Sequence, residues 1–304
     1  MPASPVRLLK GPLEKGLARL LMPPGATPDD FSGPAGAAAL VPADGVSWAV
    51  FSNPVSMFVG GIAAVLLELA EPGVRAGVWG HSTFRTHPLQ RLQRTGYAAM
   101  MTVYGPQART EAMIAAITRR HATVHGTLPG GGTYSAADPD LLDWVHATAA
   151  FGFLEAYHAH VTPVSTADRD RYYAEGRAAA RLYGATSSPD SEAGVDALFE
   201  RMADRLEPSP VILEFLAVVR RMPALPAALR PLQGWLVDGA VALLPPWVRA
   251  RLGLSGLRPL AAWQRTAIDG AAALMARTVL DTHPAVLASR RLGLPADYLF
   301  QPGA

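Results

Sequence analysis

Val55-Ser56-Met57-Phe58-Val59-Gly60-Gly61-Ile62-Ala63-Ala64-Val65-Leu66-Leu67-Glu68-Leu69-Ala70 is the stretch on which the fold turns. Sixteen positions carry one charge, and the apolar residues cover nearly every side of a helix rather than one stripe. An all-round apolar helix belongs in the middle of a protein or in a membrane. The greasiest window, Met57 to Leu67, is 11 residues long before Glu68 arrives. A membrane span needs about 20 apolar residues, and extension backwards meets Ser56, Pro54, Asn53 and Ser52. A buried central helix is therefore expected.

Outward from it, proline and glycine punctuate helical patterns. Pro88 opens a helix predicted to run to Tyr104, with Gly105 at its end. Pro106 opens the next, carrying Met113, Ile114, Ile117, His121 and Val124 before Gly126 stops it. Leu128 to Ser135 reads as a loop. Asp138-Pro139 supplies an N-cap and first-turn pair for a long helix to His160, and Ser165 with Asp168 starts another that ends at Gly184. Residues 22–45 and 185–192 read as loops. Shorter helices follow, the last clear one from Leu260 to Leu280, amphipathic through Trp263, Ile268, Ala272, Met275 and Val279. Alternating strand patterns are nearly absent, and no stretch reads as an interdomain linker. The expectation is an all-α chain, 1–304, forming a single large helical domain.

Half of the 304 residues are hydrophobic and 17% are charged, against about 25% in ordinary globular domains. That leaves apolar surface for a greasy ligand or a partner. Basic residues exceed acidic ones by 27 to 25, for a net +2, with no long basic run, which argues against nucleic acid. With no cysteine, disulfides, thiolate nucleophiles, iron–sulfur clusters and thiolate-bound metals are excluded. The N-terminal residues lack the apolar core of a secretory signal, so the expected setting is cytoplasmic. Gly-x-Ser-x-Gly and Walker A patterns are missing, and Gly130-Gly131-Gly132 follows no predicted strand.

Three polar features interrupt apolar faces. Arg91, Arg94 and Thr95 lie at i, i+3, i+4 and share one side of a helix with Ala98 and Thr102. Two cations and a hydroxyl can grip a carboxylate or a cofactor's propionate; the same spacing also describes a solvated helix start. His121 shares a face with Ile114, Ile117 and Val124, at i−7, i−4 and i+3. A neutral imidazole there is a good iron ligand, since haem needs one such residue and an apolar pocket; it is equally the pattern of a core histidine. His146, on a face with Leu142, Ala149 and Phe153, is a second ligand, a proton donor or another core histidine. His125 makes an i, i+4 pair with His121, without the acidic partner of a zinc motif.

In this order, these elements resemble the family of MpaB oxygenase and the latex-clearing rubber oxygenases. Leu66-Leu67-Glu68-Leu69-Ala70-Glu71-Pro72 is similar to its Leu-Leu-Gln-Leu-Ala-His-Pro segment. Arg91-Leu92-Gln93-Arg94-Thr95 resembles its Arg-x-x-Arg-Thr helix, and His121 to Gly126 its His-x-x-Val-Arg-Gly element. Tyr134-Ser135-Ala136 through Asp138-Pro139-Asp140-Leu141-Leu142 and Trp144-Val145-His146-Ala147-Thr148 are the most specific, and Leu244 to Arg249 is similar too. The resemblance spans residues 45–255.

It implies a globin-like helical core around haem b, and oxidative chemistry with dioxygen on a hydrophobic, isoprenoid-like small molecule, including cleavage of carbon–carbon double bonds. By position, His121 is the iron ligand, while Arg91 and Thr95 lie on the distal or propionate side. Arg94 stands where latex-clearing members have a lysine able to fill the sixth coordination site; arginine stays protonated and is a very poor ligand, so that site is expected open or water-filled. Glu71 replaces the usual histidine, His125 the usual arginine, and the position of the rubber oxygenases' base glutamate falls near Arg75, which argues against rubber-type cleavage. The alternatives are a non-catalytic carrier or sensor of haem or a lipophilic ligand, and an accessory to a hydroxylase or dehydrogenase.

Overall fold

The computed structural model describes residues 5–300; Met1–Ser4, part of the N-terminal stretch read above for a leader, lie outside the described residues. The chain is all-α. Helices α1 (Pro5–Leu21), α2 (Asp29–Ser32) and α3 (Val46–Val50) precede the central α4 (Pro54–Ala70), which is followed by α5 (Pro72–His81), α6 (Pro88–Tyr104) and α7 (Gln107–His121). A small hairpin, β1 (His125–Thr127) and β2 (Thr133–Ser135), leads to α8 (Pro139–His160) and α9 (Thr166–Tyr183). Then come α10 (Glu192–Met202), α11 (Pro210–Arg221), α12 (Arg230–Leu243), α13 (Pro246–Arg251), α14 (Ala262–Ala276) and α15 (Pro284–Arg291).

Helix α4 is the axis of the molecule, packed against α8 above all, with α5, α11, α12 and α14 around it. Asn53 caps it, its Oδ1 accepting from Val55 N at 3.0 Å, and Pro54 occupies the first turn, where an amide hydrogen is not needed. Gly60 and Gly152 make the α4–α8 crossing. A Cβ on Gly60 would stand 2.6 Å from the Gly152 carbonyl oxygen, and one on Gly152 2.5 Å from the Gly60 carbonyl oxygen. Backbone touches backbone there, which no larger residue permits.

The end of α4 explains why two family-like stretches occur together. Pro72 has no amide hydrogen to continue the helix. Each terminal carbonyl finds another donor: Leu67 O takes Trp144 Nε1 at 3.3 Å, Glu68 O takes Glu71 N at 3.2 Å, Leu69 O takes Arg75 Nη1 at 3.1 Å, and Ala70 O takes Glu207 N at 3.0 Å. Trp144 is fully buried, so its indole fixes α8 to the last turn of α4 while meeting its own need for a partner.

Two of the departures from the family pattern, Glu71 and Arg75, have structural uses in this region. The Glu71 carboxylate caps α5 by accepting from Val74 N at 2.8 Å, and it pairs with Arg205 at 2.7 Å. Arg75 closes α4 and forms an ion pair with Glu207.

Four expectations are corrected. Helix α7 stops at His121, so Val124 is not on it and Gly126 does not end it; the Val124 carbonyl accepts from Ala136 N at 2.8 Å instead, extending the hairpin ladder. The segment read as a loop contains β2, paired antiparallel to β1 with Gly126 opposite Tyr134. Gly126 is required there because a Cβ would lie 2.9 Å from the Tyr134 ring. Gly131 and Gly132, both at positive φ (89° and 83°), turn the chain between the strands. Trp263 of α14 is 61% exposed, not on an inward face, and α15 follows the helix expected to be the last clear one.

Arg291 on α15 donates to the carbonyls of Phe31 and, at 2.9 Å, Ala37, while Gly36 N donates to Arg291 O at 2.7 Å. These contacts tie α15 to the early loop. Among the described residues no single helix is long and apolar enough to cross a membrane; α4 and α5 meet that test only as a pair bent by 112°.

Candidate functional site

Helix α4 is buried along its length except at Val55, Gly61 and Glu68. Gly61 and Glu68 are seven residues apart, two turns on one face. A carboxylate half-open on a helix otherwise buried almost throughout needs a reason. Its charged neighbour is Arg91 of α6, whose half-buried guanidinium is close enough to act on the Glu68 carboxyl electrostatically. Burial pushes that carboxyl up to about 7, and Arg91 pulls the other way. Glu68 accepts no hydrogen bond and makes no direct ion pair among the described residues.

Arg91 and Thr95 are brought together as their i, i+4 spacing requires. An Arg91 guanidinium nitrogen donates to the Thr95 hydroxyl, which itself donates to the Arg91 carbonyl at 3.0 Å. Burial lowers the Arg91 pKa, Glu68 raises it and Arg94 lowers it further. Arg94 and Thr95 are themselves exposed. Thr102, on the same stripe, lies 3.3 Å from the Tyr183 hydroxyl, tying α6 to α9.

His121 is the final residue of α7 and continues the inward stripe of Ile114 and Ile117. Its Nδ1 is buried with no hydrogen-bond partner among the described residues. Burial, and then the charge of Arg91, lowers its pKa, so the imidazole is neutral at pH 7. A neutral, partnerless buried ring nitrogen is the state an imidazole metal ligand must be in.

His146 lies on α8 and packs on α9. Its Nε2 lies against α9, where a Cβ on Gly176 would meet it at 3.1 Å, and burial pushes its pKa down to about 4. Among the described residues it has no hydrogen bond or electrostatic coupling to His121 or Arg91. His125, on β1, is exposed. Glu68 is the residue that sequence reasoning missed; its signal was a lone charge in the most apolar stretch of the chain. No group of three or more His, Asp or Glu side chains suited to a metal ion occurs among the described residues.

The class that the fold defines is all-α, and in it the unpartnered His121 Nδ1 stands within electrostatic reach of Arg91, which in turn acts on Glu68. Residues 48–279 match the family described as ER-bound oxygenase mpaB/B'/Rubber oxygenase, catalytic domain, and the chain belongs to that family. It is 28% identical over 204 residues to the uncharacterized proteins Mb2261 of Mycobacterium bovis and Rv2237 of Mycobacterium tuberculosis, covering 63% of this chain and 78% of each relative. No solved structure matches it.

Proposed function

We propose that this chain is a haem b-dependent oxygenase, a single domain working in the cytoplasm on a hydrophobic small molecule with dioxygen. Membership of an oxygenase catalytic-domain family supports the reaction class. The observation that carries the cofactor is the orphaned Nδ1 of His121 on a neutral ring. His121 would be the protein's iron ligand, while Arg91 and Arg94 would meet the propionates with charge-assisted hydrogen bonds. Haem would supply the activation of dioxygen and the oxidising equivalents. The globin-like character of the core rests on the same reading.

The protein's own contributions follow from its side chains. Thr95 holds the Arg91 guanidinium to the wall of α6, so one cation is oriented before anything binds. The apolar faces of α4 and α8 exclude water from the substrate side. Arg94, always protonated, would supply no second ligand to the iron.

The test is haem content by pyridine haemochrome in the wild type and in His121→Ala. Haem in the wild type and its loss in the variant, with an unchanged far-ultraviolet spectrum, is the expected result. Equal content in both proteins refutes the assignment.

A further inference from the structure

Helix α13 ends at Arg251, and the chain folds back on it. Gly253, at a positive φ of 70°, makes the turn, and Leu254 N donates to Arg249 O at 2.8 Å. Between residues 254–260, α13 and α12 lies a cavity of about 160 Å³. Its polar lining is Arg249, Ser255, Arg258 and Asp238, and the other six of its ten lining residues are apolar, Leu254 and Leu257 among them. The charges are unbalanced. Asp238 is already paired with Arg220 of α11. Arg249 and Arg258 make no hydrogen bond or ion pair among the described residues, and Arg249 Nε is buried without a partner. Between Pro245 and Ile268 the sequence has four arginines and no acid to answer them. A guanidinium partly withdrawn from water, with nothing to donate to, is costly.

We infer that this cavity is a binding site for a small apolar carboxylate. The planar carboxylate matches the guanidinium fork. It accepts from Arg249 and Arg258 and from the Ser255 hydroxyl, while the apolar part of the molecule lies on Leu254 and Leu257. A cavity of about 150 Å³ admits benzene, so the carbon skeleton is the size of one ring or a short branched chain. Inorganic phosphate has the charge but would set its remaining oxygens against the apolar wall. Ser255 and Arg258 are exposed, so solvent reaches the site from their side. The cavity shares no lining residue with the His121 site, and the inference does not rest on haem.

The experiment titrates the full chain, at the haem occupancy with which it is isolated, into para-fluorobenzoate followed by fluorine NMR. Para-fluorobenzyl alcohol is the neutral counterpart, and inorganic phosphate the competitor. The wild type is expected to bind the carboxylate roughly ten- to a hundredfold more tightly than the alcohol, the span of one charge-assisted hydrogen bond. Phosphate at equal concentration should not displace it. Arg258→Gln removes an exposed cation that holds nothing in the fold, and should lower carboxylate affinity about tenfold or more while leaving the alcohol unchanged. Arg249→Gln should do the same; circular dichroism shows whether it folds, and Arg258→Gln decides if it does not. Arg265→Gln, a cation outside the cavity, should change nothing. Equal binding of acid and alcohol by the wild type, or binding of neither, overturns the inference. So does an equal loss in Arg265→Gln, or displacement by phosphate at equal concentration. A carboxylate preference that survives Arg258→Gln, as binding at a haem iron would, overturns it too.

Discussion

Replacing Gly60 with alanine would put a methyl carbon 2.6 Å from the Gly152 carbonyl oxygen and 2.8 Å from the Cα of Phe153. Both neighbours are backbone, so no side chain can swing aside. Reaching ordinary contact at 3.4 Å requires a separation of about 0.8 Å (3.4 minus 2.6) between α4 and α8 at their crossing. A gap of that size forfeits a quarter to a half of each dispersion contact nearby. Overpacking costs about 1–3 kcal/mol, and a rigid backbone partner places this case at about 3. Alanine recovers about 1 kcal/mol of helix propensity. The net is a destabilisation of about 2 kcal/mol, or a Tm lower by about 4 °C for a chain of this size. Gly61→Ala is the control. Its methyl would meet the Phe153 ring at 3.7 Å, an ordinary contact, so the propensity gain of up to about 1 kcal/mol should survive. Thermal unfolding followed by circular dichroism compares the two. If Gly60→Ala is as stable as Gly61→Ala, the close crossing is not what holds these helices.

The ferric protein should be high-spin, and His146→Ala should leave it so, because the His146 ring is pressed on Gly176 of α9. A low-spin spectrum that turns high-spin in the variant would instead indicate bis-histidine ligation and favour a carrier. Acid should destabilise the fold through His283, which caps α15 by accepting from Ala285 N at 3.1 Å and is pushed down to about 4 by burial. A histidine depressed from 6.5 takes up its proton more readily when unfolded. Its contribution is therefore complete above pH 6.5 and is lost as the pH falls towards 4, at no more than about 1.4 kcal/mol per pH unit. His283→Asn keeps a capping oxygen and should flatten that slope in urea titrations at stepped pH. Glu68 works in the opposite sense between pH 4.5 and 7, so the comparison is made between variants at each pH. An unchanged slope would remove His283 from the account.

Much of the helical framework was readable because its signals are local. Asp138-Pro139, Ser165 and Gly184 act at helix ends in the structure as their chemistry suggests. The hairpin was not readable. Its strands are three residues each, and Gly126 has its meaning only from Tyr134, eight positions away. The candidate site divides in the same way. Arg91 with Thr95 follows from helix spacing, and so does the inward stripe ending at His121. That His146 packs on Gly176 of α9 depends on how α8 rolls about the Gly60–Gly152 crossing. That Glu68 stands beside Arg91 depends on where α6 passes α4. A lone acid in an apolar helix announced a cost in the sequence, but its neighbour lies on another element.

The clasp made by Arg291 joins positions 260 apart in the chain. Synthesis runs from the N-terminus, at about 5–20 residues per second, so the Phe31 and Ala37 carbonyls leave the ribosome on the order of ten seconds or more before their donor exists. During that interval the early loop cannot take its final place, and a nascent chain has to shelter it by other means or leave it to a chaperone. A polypeptide released at residue 279, where the family match ends, would hold every proposed haem contact yet lack this closure. Ribosomal stalling in the last turns of the message would thus yield a product with its binding chemistry written in full but with α2 and the chain up to Ala37 lacking their C-terminal latch.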